Sequence, residues 1–291
     1  MKTSKIAMAI GGLAIEIRST KSLHFLTSKR FLPFQADIVH PEITWEFQIV
    51  NPGPVDQGKS APATGCSRLL SSRSPQLNAC LQQARKNPEW SAIEMNAGAV
   101  TILDFKKNRA NIFFNREFVN ELGVHGIGPA MLAPFLPNFE ACLLHASAIV
   151  RHGRTAIFLA ADEGGKTTAA RLSPDGTILG DDQVLVQRGL DGFQVSGTPW
   201  GLHMDGKLRA PLAGLFLLEK ARRFSLVPLR ARELLPHLWQ EAKALLAILP
   251  KPLKIKAFDI LSELATAVPA ARMSFPKHFI DWEAIDKIMA G

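Results

Sequence analysis

The sequence predicts an α/β (α+β) protein in which a β-rich N-terminal part precedes a phosphate-loop nucleotide-binding module. Three observations carry this reading. Apolar and polar residues alternate with a period of two in the first fifty positions, the mark of half-buried strands. A strand, a glycine turn and a helix surround Gly164-Gly165-Lys166-Thr167. An adjacent acid pair, Asp181-Asp182, follows inside an apolar run.

The 291 residues can bury a full core, and hydrophobic and charged fractions of 47% and 21% exclude disorder over most of the length. Cys66, Cys80 and Cys142 leave an odd thiol and form no C-x-x-C pair, so neither a disulfide framework nor a zinc knuckle is indicated. Lys2 and Lys5 precede the apolar run 6–15, but that run is short, holds Gly11-Gly12 and leads into Glu16 and Arg18 without a cleavage site. No segment approaches the roughly 18 to 20 apolar residues of a spanning helix. A soluble, cytoplasmic protein without membrane contact is therefore expected. The net charge of +8 is spread along the chain, with only small clusters such as Lys106-Lys107 and Arg222-Arg223. Such a surface suits an anionic partner, a nucleotide or an acidic peptide, and nucleic acid is disfavoured.

Taken in order, Leu13, Ile15 and Ile17 alternate with Ala14, Glu16 and Arg18, and residues 43–50 repeat the pattern. Both stretches read as half-buried antiparallel strands. Residues 51–75 change to Pro, Gly, Ser and Ala, a composition that cannot offset its ordering entropy, and read as a long mobile loop. Strands resume at 99–103 and 110–114. From 126 to 143, Met131, Leu132, Phe135, Leu136 and Leu143 recur at near-helical spacing, with Pro134 and Pro137 interrupting. A boundary here divides a β-rich N-terminal domain, 1–135, from a nucleotide-binding domain, 136–291.

The apolar runs 146–150 and 155–159 are joined by Arg151, His152, Gly153 and Arg154, which is hairpin chemistry with Gly153 available for φ > 0. The second strand empties into a loop at Ala160. Residues 166–172 have the length of a short helix, ended by Ser173-Pro174-Asp175-Gly176. Residues 177–186 read as one apolar strand with the two acids at its middle. Further strands near 193–195 and 215–218, an amphipathic helix from 230 to 249 with a start or kink at Pro236, and a terminal helix from about 281 to 289 complete the chain. The Leu-rich helix is core or subunit packing, and its Arg230, Arg232 and Lys243 are suited to recruiting an acidic substrate.

A phosphate loop needs backbone N–H groups, a lysine and a hydroxyl converging on one anion. Gly164 and Gly165 let the backbone close around phosphate, Lys166 reaches the β and γ phosphates, and Thr167 ligates Mg²⁺. The nucleotide-binding set is then Ala160, Ala161, Asp162, Glu163, Gly164, Gly165, Lys166, Thr167 and Thr168. Two departures stand out. Ala160 occupies the opening position where G-x-x-x-x-G-K-[ST] has glycine, and if that position needs φ > 0 an L-residue costs about 1 kcal/mol. Asp162 and Glu163 repel a triphosphate unless they point outward or bind metal. In Asp181-Asp182, one carboxylate can hold Mg²⁺ while the other accepts a hydroxyl proton, the division that phosphoryl transfer requires. The remaining histidines show no metal-ligand spacing.

His145 to Val150, Phe158-Leu159 leading into Gly164 to Thr168, and Leu179 to Val184 together resemble the C-terminal catalytic domain of the HPr serine kinase family, an HPr kinase / PEP carboxykinase-like fold. The style is that of the shorter HPr kinase-related proteins found near peptide-modifying enzymes, and Ile10-Gly11-Gly12-Leu13 resembles their opening. The resemblance implies a His-headed hairpin and an ATP- and Mg²⁺-dependent kinase acting on a serine of a peptide or small protein. In it, Lys166 and Asp181 are catalytic, Asp181 is the acid/base, Thr167 and Asp182 are metal ligands, and His145 is a nucleotide-side residue. It also implies homo-oligomers. Gly197-Thr198-Pro199-Trp200-Gly201 takes the place of the family's second glycine-rich signature, which has no clear counterpart. Two other readings stay open. One is a nucleotide-binding regulatory or assembly protein of the same fold, which Ala160 and Asp162-Glu163 favour; the other is a P-loop NTPase acting on water.

Overall fold

The N-terminal alternation builds a sheet around a glycine hairpin. Strands β1 (Ser4–Ile10) and β2 (Leu13–Ser19) pair antiparallel through Gly11 and Gly12, whose φ angles of 61° and 83° only glycine takes without strain. The computed structural model describes residues 4–19, 31–49, 82, 86–87, 90–95, 99–114, 124–161, 163–173, 175–200, 208–246 and 248–290. The expected loop at 51–75 and the site residue Asp162 lie outside them.

Strands β3 (Ile43–Ile49), β4 (Trp90–Met95), β5 (Ala99–Asp104) and β6 (Arg109–Phe114) complete a six-stranded sheet in the order β1-β2-β3-β6-β5-β4. The antiparallel expectation holds for β1 with β2 but not for β3, which pairs parallel with β2 and with β6, while β5 is antiparallel to both β6 and β4. Parallel pairing needs a long return connection, and the chain between β2 and β3 supplies one. The buried face carries Ile15, Ile17, Ile43, Trp45 and Phe47.

Helix α1 (Val124–Leu132) is shorter than the helical spacing predicted. A 3-10 turn over Leu136–Phe139 follows the prolines, Glu140 adopts a left-handed φ of 54°, and Leu143 lies in a strand, β7 (Ala141–His145). Two prolines and a left-handed residue stop the helix before Leu143 can join it.

The second sheet contains β8 (Ser147–Arg151), β9 (Arg154–Leu159), β10 (Thr177–Gly180), β11 (Gln183–Gly189), β12 (Gly192–Gly197), β13 (Arg209–Lys220), β14 (Ser225–Pro228) and β15 (Ala270–Phe275) with β7. Its path is β10-β8-β9-β13-β12-β11-β7, and β15 pairs with both β13 and β14. Strands β9, β13 and β15 run parallel, so the loops after them emerge at one edge. Helices α2 (Lys166–Arg171), α3 (Ala231–Leu246), α4 (Lys251–Ala267) and α5 (Trp282–Ala290) cover the sheet. The expected helix 230–249 ends at Leu246; α4, β14 and β15 add to what the periodicity indicated. Leu234, Leu238, Leu246 and Leu249 are buried, so the Leu-rich helix is core.

One buried cluster takes in Ile10, Leu13 and Trp45 together with Leu143, Leu185 and Leu261. Contact between the halves is direct at Gly11, where a methyl group would come within 2.7 Å of Leu185. A second cluster underlies the glycine loop: Phe158, Phe216, Ala169, Ala170, Met273 and Trp282. The rings of Phe158 and Trp282 meet edge-on at 6.1 Å. Each fully buried aromatic here contributes on the order of 2 kcal/mol. The terminal helix is pinned by buried Arg151, which donates to both Asp286 carboxylate oxygens at 3.0 and 2.8 Å. No described helix is long and apolar enough to cross a membrane.

Candidate functional site

The hairpin forms as expected. β8 and β9 pair antiparallel, and His152 and Gly153 take φ angles of 49° and 73° in the two-residue turn. β9 then delivers Ala160 to the loop, and α2 starts at Lys166 with Gly165 as its left-handed N-cap at φ 100°. Within the loop, Gly164 N–H donates to Ala161 O at 2.9 Å. The Lys166 side chain is buried, and its ammonium donates to Ala160 O at 2.7 Å and to Ala161 O at 3.4 Å. Buried charge is expensive unless polar groups receive it, and the strand-end carbonyls do so here. At six residues α2 is too short for its dipole to dominate.

Ala160 does not bear the strain that glycine would relieve. Positive φ falls instead on Glu163, at 59°, and on Gly165. Ala160 is buried and its methyl stands where a Gly164 side chain would go; a methyl on Gly164 would also lie 2.8 Å from Ala161 O. Gly165 is confined too, since its added carbon would meet the Phe275 ring at 3.0 Å. Glu163 is exposed, as are Ala161 and Thr168, while Thr167 is half-buried.

The acids do not sit at the middle of one strand. β10 stops at Gly180 and β11 starts at Gln183, so Asp181 and Asp182 form the corner between them. The corner exists because β10 pairs with β8 and β11 with β7, in separate parts of the sheet. Gly180 makes the bend: a methyl there would lie 2.8 Å from Val184 and 3.2 Å from Gln183 O. A matching corner at Ala146 separates β7 from β8. The two corners are joined by Ala146 N–H donating to Asp182 O at 3.0 Å and by the Ser147 hydroxyl 3.4 Å from Asp181 O. Asp181 is buried and Asp182 half-buried.

His145 therefore ends β7 rather than heading the hairpin, and it pairs in register with Gln183. Its Nε2 lies 3.3 Å from Asp182 Oδ1 and its Nδ1 3.4 Å from Glu241 Oε2 on α3. The Asp182 carboxylate first, and Glu241 second, push the imidazole pKa up to about 9, against partial burial and the charge of Lys166. At neutral pH the ring is an imidazolium donating from both nitrogens. The field of Lys166 at His145 places the loop lysine, the histidine and Asp182 in one electrostatic neighbourhood. Glu241 is the member that sequence reasoning missed. Its only signal is an acid next to buried Ala242 on an amphipathic helix.

Thr198 donates its hydroxyl to Gln183 O at 2.8 Å and Trp200 is buried, so this part of 197–201 braces the acid corner; Gly201 lies outside the described residues. Among the described residues no group of three His, Cys, Asp or Glu side chains could hold a metal ion by itself. Mg²⁺ at a phosphate site takes only one or two protein oxygens and completes its shell with phosphate and water, so it needs no such group. Compared with models of known protein families the chain matches none, and it has no significant match among curated proteins.

Proposed function

We propose that the chain is an ATP-dependent kinase that transfers the γ-phosphoryl group to a hydroxyl, a serine of a peptide or small protein, in the manner of HPr kinase-like proteins. One observation carries the reading. A glycine loop with no room for side chains and a buried lysine shares its surroundings with an imidazolium bound to the second acid of an Asp-Asp corner.

Lys166 would exchange the Ala160 and Ala161 carbonyls for phosphate oxygens, and the amide of Gly165 would line the same anion. His145, charged, adds a second cation beside it. Mg²⁺, held by Thr167 and Asp182, would neutralise developing phosphate charge. Asp181 is the carboxylate assigned to the acceptor. As the bond from the γ phosphorus to the bridging oxygen breaks and the bond to serine Oγ forms, the serine proton passes to Asp181 and ADP leaves.

A second reading, a nucleotide-binding regulatory protein, is favoured by the burial of Asp181 and by the engagement of Asp182 with His145. Labelled ATP offered with serine peptides separates the two. Transfer that disappears in Lys166→Ala and in Asp181→Asn supports the kinase. Tight ATP binding with no transfer to any acceptor supports the regulator.

A further inference from the structure

Several surface cations of this protein are matched by carboxylates: Arg188 with Glu140 and Glu263, Lys256 with Glu140, and Arg272 with Glu219. One group is not. After β13 the chain turns through Ala221, Arg222, Arg223 and Phe224, and after β15 through Pro276, Lys277, His278 and Phe279. Lys220, Arg222, Arg223 and Lys277 are exposed, and none of them makes an ion pair with a described residue. The stretch from Lys220 to Arg232 contains no carboxylate. In the midst of these charges Phe224 and Phe279 meet edge-on at 6.2 Å, with Phe279 51% exposed.

The location gives this patch its meaning. β9, β13 and β15 are parallel, so both turns lie at the edge where β9 releases the glycine loop. Phe275, the last residue of β15, backs Gly165 on one side, and its carbonyl accepts the Ala221 N–H at 3.0 Å on the other. Neighbouring strands lie about 4.8 Å apart, so two strand spacings bring β15 to about 10 Å from β9. An extended peptide covers that distance in about three residues at roughly 3.3 Å each.

Resting on the kinase reading, we infer that the rim formed by the turns after β13 and β15 is the docking surface for an acidic segment of the peptide acceptor. The segment lies about three residues from the serine that enters the phosphate site. Its carboxylates face Arg222, Arg223 and Lys277, and an apolar side chain rests on the Phe224–Phe279 pair, the arrangement of a ring anchor inside a charged rim. The patch is confined to two short turns beside the loop, which fits a short peptide rather than a tracked nucleic-acid backbone.

The test measures binding of a synthetic extended peptide carrying one serine and a Glu run about three residues away. Its controls are the same peptide with every Glu replaced by Gln and a single-stranded oligonucleotide. Wild-type protein should bind the acidic peptide about tenfold tighter than the Gln peptide, with the difference shrinking in high salt. Arg222→Glu combined with Arg223→Glu should remove that preference, and Lys277→Glu, on the other turn, should reduce it. Equal affinity for the two peptides, indifference to these reversals, or tighter binding of the oligonucleotide overturns the inference. ATP binding by the wild-type chain is measured alongside. Arg222-dependent peptide binding without ATP binding leaves the docking surface standing and removes the kinase; ATP binding without peptide preference does the reverse.

Discussion

Replacing Glu241 by Gln changes one of the two carboxylates that hold the His145 proton while leaving the loop and the acid corner untouched. The imidazole stands at about 9 rather than the ordinary 6.5, with Asp182 the larger cause and Glu241 the second. Gln can still accept a hydrogen bond but supplies no charge, so the midpoint should fall by about one unit, to about 8. One unit corresponds to about 1.4 kcal/mol, and since the side chain is a third exposed, solvent screening brings this to about 1 kcal/mol. The sign follows from linkage. A folded-state pKa raised above the unfolded value stabilises fully below about 6.5, and this is lost as pH rises through about 9. Wild type and variant should therefore differ by about 1 kcal/mol at pH 6 and converge above about pH 10. Proton NMR of the imidazoles gives the midpoint directly, with His145→Gln assigning the resonance, and urea unfolding at the two pH values gives the energy. A wild-type midpoint near 6.5, or a variant still near 9, refutes the Asp182–His145–Glu241 arrangement.

Gly164→Ala places a methyl against Ala160 and within 2.8 Å of Ala161 O, and should lose about 1 to 3 kcal/mol in urea unfolding. Adding Ala160→Gly should restore part of that loss, whereas strictly additive effects would contradict the crowding. Gly180→Ala, 2.8 Å from Val184, should displace the acid corner and lower the transfer rate more than it lowers ATP affinity, as steady-state kinetics would show. Asp286→Asn removes the bidentate partner of buried Arg151 and should cost about 2 kcal/mol, less than a fully buried pair because Asp286 is partly exposed. The Arg151 hydrogen bond holds the Asp286 pKa below its ordinary 3.8, so this stabilisation is present above about 3.8 and lost as pH falls below it. The Tm difference between wild type and Asp286→Asn should accordingly be present at pH 7 and vanish in strong acid.

Where local chemistry decides structure, the sequence was readable. The Gly153 turn, the glycine loop, the short helix after it and the terminal helix follow from residues within a few positions of one another. The acid pair was visible too, but its setting was not: an apolar run through 177–186 cannot reveal that its two halves pair with different strands. Gly180 was the local hint, as a glycine inside a strand pattern often marks a bend. Parallel pairing of β2, β3 and β6 depends on connections rather than on alternation. Helix α4 has a clear stripe in Ala257, Ile260, Leu261 and Leu264, and Pro250 and Pro252 at its head are compatible with it because proline is well tolerated in a first helical turn. Glu241 reaches His145 only because α3 packs on β7, a contact no spacing encodes. Ala160 escapes positive φ for the same reason. Which loop position carries positive φ is set by how the loop folds back on Gly164, not by the motif.

The account depends most on the claim that residues 160–168 form a phosphate site centred on Lys166. Calorimetric titration of ATP with Mg²⁺ into wild-type protein and into Lys166→Ala tests it directly. Wild type should bind, and the variant, having lost charge-assisted hydrogen bonds of about 1.5 to 3 kcal/mol, should bind about ten- to a hundredfold more weakly while its unfolding transition stays cooperative. No ATP binding by wild type, or equal affinity in the two proteins, would contradict the account.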